Sequence, residues 1–301
     1  MKRALESYLK KSPVFSMLLG CVLISIGPFF VEASQIGSIA NTFYRMLIGG
    51  ICLCLITLIK KESFPKQAAA SLCFCAALGL NLDLLTWNQS ILSIGPGLAT
   101  ILGNLEIIFL MLFGWFFLKE RPSTFFWKVL LLMGMGIVLL VYPLFQEITS
   151  KQLYGIIFGG LASLFYAVYL FFLKKLTDEC SKYSPSSILS LVCLVASILL
   201  GAFMWFVDKN LFVIVSPKSA LYIVLNSLFS QVIGWWLITF AIKKITLSFS
   251  GLILLVQPAL TYVLDWVIFG RNALWGQILG CVILLIAIYF LTLKEKNLAK
   301  S

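Results

Sequence analysis

Residues 186–207 read SSILSLVCLVASILLGAFMWFV, an apolar run without a single charged side chain. At about 1.5 Å per residue, a helix of this length crosses the roughly 30 Å hydrocarbon core of a bilayer. Similar runs fill most of the 301-residue sequence, which is 61% hydrophobic and 12% charged, with a mean hydropathy of +1.02. Soluble domains contain about 25% charged residues. The sequence therefore predicts an all-α integral membrane protein.

Ten such runs follow one another, and we predict a transmembrane helix for each. The runs are continuous rather than alternating, which excludes a transmembrane β-barrel, and only short polar segments separate them. The predicted spans lie at 13–31, 36–59, 68–91, 95–118, 123–143, 152–173, 186–207, 219–242, 246–269 and 273–293.

The lysine and arginine residues between the spans indicate how the protein lies in the membrane. If the N-terminus is cytoplasmic, most of them fall on the cytoplasmic side, and the opposite side collects Lys151, Lys209, Lys218 and Arg271. We therefore expect a protein of the cytoplasmic (inner) membrane with both termini in the cytoplasm. The net charge of +11 then reflects topology and contact with anionic membrane lipid, and no nucleic-acid partner is expected.

A weak internal repeat relates the two halves of the sequence. When the halves are aligned, Trp115 meets Trp266 and Glu106 meets Gln257. Each half holds five spans, an odd number, so the sequence predicts ten transmembrane helices in two inverted five-helix repeats. The predicted divisions are a cytoplasmic N-terminal segment at 1–12, a first repeat at 13–143, a connecting loop at 144–151, a second repeat at 152–293 and a cytoplasmic tail at 294–301.

Four short segments carry a resemblance to a known family. They are Asn41–Arg45 in span two, Gly95–Thr100 and Phe117–Arg121 at the two ends of span four, and Gln257-Pro258 in span nine. Through them the chain resembles the ten-span EamA-type members of the drug/metabolite transporter superfamily, over nearly its whole length. The resemblance implies a secondary carrier or exporter of amino acids, drugs, nucleotide derivatives or other small metabolites. One departure is Leu105-Glu106-Ile107, which stands where these proteins usually have a proline.

Three charged residues fall near the middle of predicted spans two, three and four. Arg45, Asp83 and Glu106 lie at similar depths below the outer ends of their helices. A charge near the bilayer centre costs at least about 2.5 kcal/mol, so such side chains normally face the protein interior. We therefore expect the three charges to meet inside the protein.

Three uncharged residues should complete a common cavity with these charges. Trp87 lies on the Asp83 face of span three, and Trp235 and Trp236 occupy comparable places in span eight, so that one of them should line the opposite wall. Gln257 belongs to a polar stripe in span nine and is the repeat mate of Glu106. The predicted substrate cavity consists of Arg45, Asp83, Trp87, Glu106, Trp235 and Gln257.

The roles of the three charges leave alternatives open. Arg45 and Asp83 could form a structural ion pair, or Arg45 could hold an anionic group of the cargo. One arginine cannot compensate two carboxylates, so Glu106, together with Asp83, is the candidate for proton coupling or for binding a cationic cargo. The competing hypothesis for Glu106 is a protonated side chain in a structural hydrogen bond.

Several chemistries find no support in the sequence. It has no histidine, no metal-ligand spacing among its eight cysteines and no glycine-rich phosphate loop after a strand. We therefore expect no metal, no cofactor and no enzymatic activity.

These observations favour a secondary transporter that moves a small organic molecule by alternating access. The expected cargo is an amino acid or related compound, and the expected direction is export. Transport could be coupled to protons. The main alternative is an importer or exchanger of a larger cationic metabolite, such as a nucleoside derivative. Outside the transporter class, a non-transporting membrane assembly or lipid-handling protein stays open. A homodimer is compatible with the sequence but is not required.

Overall fold

A computed structural model describes residues 12–65, 69–103, 105–119, 124–142, 149–214, 216–254 and 256–269, together with scattered positions between 275 and 290. Throughout these ranges the regular secondary structure is helical, without β-strands. The prediction of an all-α protein is therefore confirmed.

Thirteen helices are numbered here in chain order, and a π-helical segment interrupts one span. The π segment, Ser227–Gly234, joins α10 to α11. The helices are α1 Pro13–Ile24, α2 Gly27–Ser34, α3 Ser38–Ile59, α4 Ala70–Ile94, α5 Pro96–Gly103, α6 Glu106–Leu118, α7 Thr124–Val141, α8 Ser150–Glu179, α9 Pro185–Val207, α10 Pro217–Asn226, α11 Trp235–Ile242, α12 Leu247–Leu254 and α13 Val256–Phe269.

Seven helical stretches of the described residues are long and apolar enough to cross a membrane. They are α1 with α2, α3, α4, α8, α9, the stretch from α10 through α11, and the stretch Phe249–Ile268. Predicted spans four and five hold the shorter helices α5, α6 and α7. Much of predicted span ten, with most of the N-terminal segment, the connecting loop and the tail, lies outside the described residues. The multi-pass architecture is thus confirmed, without a count of ten.

Serine and threonine caps fix where several helices begin. The Ser12, Ser184 and Ser216 hydroxyls each accept a hydrogen bond from a backbone N–H in the first turn, and each precedes a proline. Proline suits the first helical position because its missing N–H would have no partner there. Thr149 and Gln152 form a capping box at the start of α8. These caps place the helix starts beside the polar segments that sequence analysis identified.

The first span is interrupted between α1 and α2. Pro28 lacks an N–H, and the Phe29 N–H bonds to the Ile26 carbonyl at 3.2 Å instead of to that of Ser25. The Thr261 hydroxyl of α13 donates to the Ser25 carbonyl at 3.1 Å. A polar group of span nine therefore satisfies a backbone group that the break sets free, as burial in a membrane protein requires.

The packing of the helices follows the predicted repeat. Span three packs on span six through α4 and α8, and the repeat mates of these spans, eight and one, pack through α11 and α1. Spans two and seven, which are mates of each other, pack through α3 and α9. Spans four and nine do so through α5 with α13 and α6 with α12. This is the pattern of contacts that two structurally equivalent halves would produce.

The contact between α4 and α8 depends on a glycine. A Cβ atom on Gly79 would lie 3.0 Å from the backbone nitrogen and 3.1 Å from the Cα atom of Tyr169. Small residues allow such close approach of helix backbones in membrane proteins. Gly79 therefore sets the distance between the helices that carry Asp83 and Tyr166.

Candidate functional site

All six residues of the predicted cavity line one pocket in the described part of the chain. The pocket has a cavity volume of about 50 Å³. Its lining comes from both halves of the protein, because α3, α4, α5 and α6 meet α8, α11 and α13 there. The lining residues are Ile24, Arg45, Asp83, Leu84, Trp87, Thr100, Gly103, Glu106, Tyr166, Trp235 and Gln257.

Glu106 lies at a break in span four, between α5 and α6. The Leu105 N–H bonds to the Leu102 carbonyl at 3.2 Å in a turn, and Glu106 is the first residue of α6. Its side chain is 1% exposed, and the Oε2 atom has no hydrogen-bond partner among the described residues. The positive end of the helix dipole favours a carboxylate at this position. Glu106 is thus a buried acid with a free acceptor atom.

Arg45 is held by a neutral side chain. It is 2% exposed, and its Nε atom donates to Gln231 Oε1 at 3.2 Å. The Nη1 atom is buried and has no hydrogen-bond partner in the described ranges. A buried guanidinium nitrogen without an acceptor is costly unless a ligand or water satisfies it.

Arg45 and Asp83 do not form the structural ion pair that the sequence left open. Both side chains line the pocket, but no nitrogen of Arg45 lies within 4.0 Å of an Asp83 carboxylate oxygen. With Glu106, the pocket therefore contains two acidic groups and one basic group, none of them in a contact ion pair with another. Cationic groups and protons are the natural complement of such an excess of acid.

Aromatic rings form one wall of the pocket. The Trp235 ring makes edge contacts with Tyr166 and Tyr169, at centroid distances of 6.0 and 5.0 Å. The two tyrosine rings lie 6.4 Å apart. Trp87 is another buried ring of the lining. Together these residues supply a rigid apolar surface beside the carboxylates, on which an organic cation or the apolar part of a cargo can pack.

Three residues that contribute to the site were missed by the sequence analysis. Tyr166 and Thr100 line the pocket, and Gln231 holds Arg45. The signal for Gln231 was a run of small and polar residues in span eight, comparable to the stripe used for span nine. In span nine, Gln257 lines the pocket. Thr261, another polar residue of the same span, donates to the Ser25 carbonyl instead.

The described residues offer no cluster of three or more histidine, cysteine, aspartate or glutamate side chains that could hold a metal ion. The chemistry available in the pocket is therefore that of one guanidinium, two carboxyl groups, an amide, hydroxyls and aromatic faces. These groups can bind and release a charged organic molecule.

A helical membrane protein with a buried, charged pocket between two halves has the architecture of a secondary transporter. Comparison with known proteins agrees with this class. The sequence profile of the EamA-like transporter family matches residues 11–142 and again residues 153–293. The chain belongs to this family, and it is a multi-pass membrane transporter.

The chain is also similar to two individual proteins. An uncharacterized transporter from Clostridium kluyveri is 22% identical over 247 residues, which cover 80% of this chain and 78% of the relative. A crystal structure with 14% sequence identity has a TM-score of 0.76 and covers 94% of this chain and 98% of the other. At this identity the structural likeness shows the fold alone.

Proposed function

We propose that the protein is a secondary transporter that exports a small zwitterionic metabolite, an amino acid or a related compound, by alternating access. The observation that carries the proposal is a pair of unpartnered polar atoms on two residues of the pocket lining. Arg45 Nη1 is a buried donor and Glu106 Oε2 is a buried acceptor, and neither has a hydrogen-bond partner among the described residues. A molecule with a carboxylate and an ammonium group would satisfy both.

The two ends of such a cargo match the chemistry of the two sides of the pocket. A carboxylate accepts charge-assisted hydrogen bonds from a guanidinium, which binds it in a planar geometry. An ammonium group is stabilised by Glu106, with Asp83 as the second acidic group of the lining. The aromatic wall of Tyr166 and Trp235 is available to the rest of the molecule.

The pocket is small in the state that the structure describes. A volume of about 50 Å³ holds a few water molecules, since one needs on the order of 10–15 Å³. The second candidate is a larger cationic metabolite, such as a nucleoside derivative, imported or exchanged. The observation that favours it is the acidic, aromatic lining, on which a flat cation could stack.

Glu106 is the proposed site of proton coupling, with Asp83 as its partner. An acid buried at membrane depth can bind a proton in one state of the cycle and release it in another. Glu106 would then bind either the proton or the ammonium group of the cargo, and competition between the two would couple their movements. Facilitated diffusion or cargo exchange would use the same pocket without a gradient.

The proposed setting is the cytoplasmic membrane, with both termini in the cytoplasm. Lys60, Lys61, Lys174, Lys175, Lys243 and Lys244 fall on the side assigned to the cytoplasm. Lys151, Lys209 and Lys218 fall on the other side. The excess of basic residues on one side supports this orientation.

Transport by the purified protein in proteoliposomes tests the proposal. Uptake and efflux of a panel of amino acids and nucleosides are measured with and without a pH gradient for the wild type, Glu106→Gln and the control Glu179→Gln. Glu179 is exposed at the end of α8, so the control makes the same chemical change far from the pocket.

We expect Glu106→Gln to insert and fold normally but to lose gradient-driven flux, while Glu179→Gln behaves like the wild type. Undiminished coupling in Glu106→Gln would reject the proton role of this residue. Transport of nucleosides but of no amino acid would favour the second candidate. Absence of flux for every compound would reject the proposed cargo class.

A further inference from the structure

Gln231 lies behind the pocket and connects it to a neighbouring helix. Its side chain is 0% exposed, and both ends of its amide are used. Oε1 accepts a hydrogen bond from Arg45 Nε at 3.2 Å, and Nε2 contacts Cys193 Sγ of α9 at 3.1 Å. The amide is therefore fixed in one orientation, with its acceptor toward Arg45.

The backbone around Gln231 is built for this contact. Gln231 lies in the π segment, in which the Trp235 N–H bonds to the Ser230 carbonyl, five residues earlier. Such segments are rare and occur frequently at functional sites. The same segment ends where Trp235, a residue of the pocket wall, begins α11. One irregular stretch of span eight thus positions both a pocket residue and the partner of Arg45.

Gly49 leaves the space that Gln231 occupies. A Cβ atom at Gly49 would lie 2.6 Å from Gln231 Cγ and 3.0 Å from Gln231 Cβ. Gly49 and Arg45 are one helical turn apart on α3, so they present the same face to the π segment. Gln231 therefore contacts one face of α3 twice: its aliphatic part packs against Gly49, and its amide bonds to Arg45.

We infer that Gln231 is a positioning residue that determines the specificity of the pocket for a carboxylate. It binds Arg45 through Nε and leaves Nη1 for the cargo, and because it is neutral it leaves the positive charge of Arg45 available. A glutamate in its place would form an ion pair with Arg45 and remove that charge from the pocket. This inference rests on the proposed function, since it assigns the carboxylate of the zwitterion to Arg45.

Three related probes test the inference. L-leucine carries both charged groups, isocaproate keeps only its carboxylate, and isoamylamine keeps only its amine. Binding of each probe to purified protein is measured for the wild type, Gln231→Glu, Gln231→Met and the control Gln152→Glu. Gln152 lies in the capping box of α8, where glutamate serves equally well.

We expect Gln231→Glu to weaken L-leucine and isocaproate at least tenfold and to bind isoamylamine as tightly as the wild type or more tightly, because the pocket loses a positive charge. Gln231→Met should weaken the carboxylate probes several-fold, because it frees the guanidinium to move. Gln152→Glu should match the wild type. Wild-type affinity of Gln231→Glu for isocaproate would overturn the inference, and so would equal weakening of all three probes.

A second measurement does not depend on the cargo. Phenylglyoxal reacts with the Nη atoms of an arginine, and mass spectrometry gives the rate at each of the four arginines in the sequence, so Arg3, Arg121 and Arg271 are internal controls. We expect the Arg45 rate to fall several-fold in Gln231→Glu but not in Gln231→Met. Equal rates in all variants would overturn the inference. If no probe binds the wild type, the amino-acid proposal fails, while this rate still decides the role of Gln231.

Discussion

Arg45 and Asp83 line the same buried pocket, yet Arg45 is hydrogen-bonded to Gln231 and makes no contact ion pair with Asp83. Opposite charges at membrane depth usually pair, because an unpaired charge there is costly. A neutral partner keeps the guanidinium oriented without cancelling its charge. The arrangement suits the proposed binding site, in which the cargo would supply the missing partner.

The double variant of Arg45 and Asp83 distinguishes this arrangement from a structural ion pair. Removing one partner of a buried contact pair costs about 3–5 kcal/mol, which the double variant would largely recover. Since the two side chains are not in contact, we expect Arg45→Ala and Asp83→Ala to couple by clearly less than a contact pair would. The measurement is thermal unfolding in detergent of both single variants and the double variant.

Two outcomes of that experiment contradict the binding-site interpretation. One is a double variant clearly more stable than either single variant. The other is an Arg45→Ala protein that folds and still binds a carboxylate probe like the wild type. A folded Arg45→Ala protein that has lost only transport would support binding of the cargo carboxylate by Arg45.

The contact between Gly79 and Tyr169 predicts a stability effect. Gly79→Ala places a Cβ about 3 Å from the backbone of α8, and overpacking of this kind costs about 1–3 kcal/mol. Gly160→Ala on α8 is the matched control, because a Cβ there meets nothing within 4 Å. We expect the control to be neutral or slightly stabilising, as alanine favours helices over glycine. Equal unfolding temperatures for the two variants would show that the close approach is not needed.

The aromatic wall predicts a difference between two tryptophans. Trp235 is buried and in contact with two tyrosines, whereas Trp205 is 58% exposed near the end of α9. We expect Trp235→Ala to lower the free energy of unfolding by about 3–5 kcal/mol. Trp205→Ala should cost about 1 kcal/mol or less, through its cation–π contact with Lys209. Unfolding of the purified variants checks both values, and a stable Trp235→Ala protein would argue against a packed wall.

The charged part of the site was predictable because burial of charge in a membrane has few solutions. Arg45, Asp83 and Glu106 could only turn inward, and helical spacing then identified Trp87 as a neighbour. The repeat identified Gln257. These arguments use depth and periodicity, which sequence alone provides.

The uncharged partners were not predictable in the same way. Tyr166 costs little at membrane depth, so its position does not reveal which way it faces. Gln231 lies in a polar run of span eight, a signal that the prediction did not use. The π segment also shifts every following residue of span eight, and no periodic pattern predicts that shift. The turn at Leu105 occurs without a proline, so its position depends on tertiary packing as well. The break between α1 and α2, by contrast, follows from Pro28.

The narrowness of the central pocket has a consequence for the transport cycle. A molecule larger than a few waters can enter only if the surrounding helices separate, so occupancy and rearrangement become a single thermodynamic event. Part of the interaction free energy then goes into moving the walls, and the apparent affinity is weaker than the contacts alone would give. A very high affinity would slow release of the transported molecule, whereas a modest affinity lets it dissociate on the other side of the membrane.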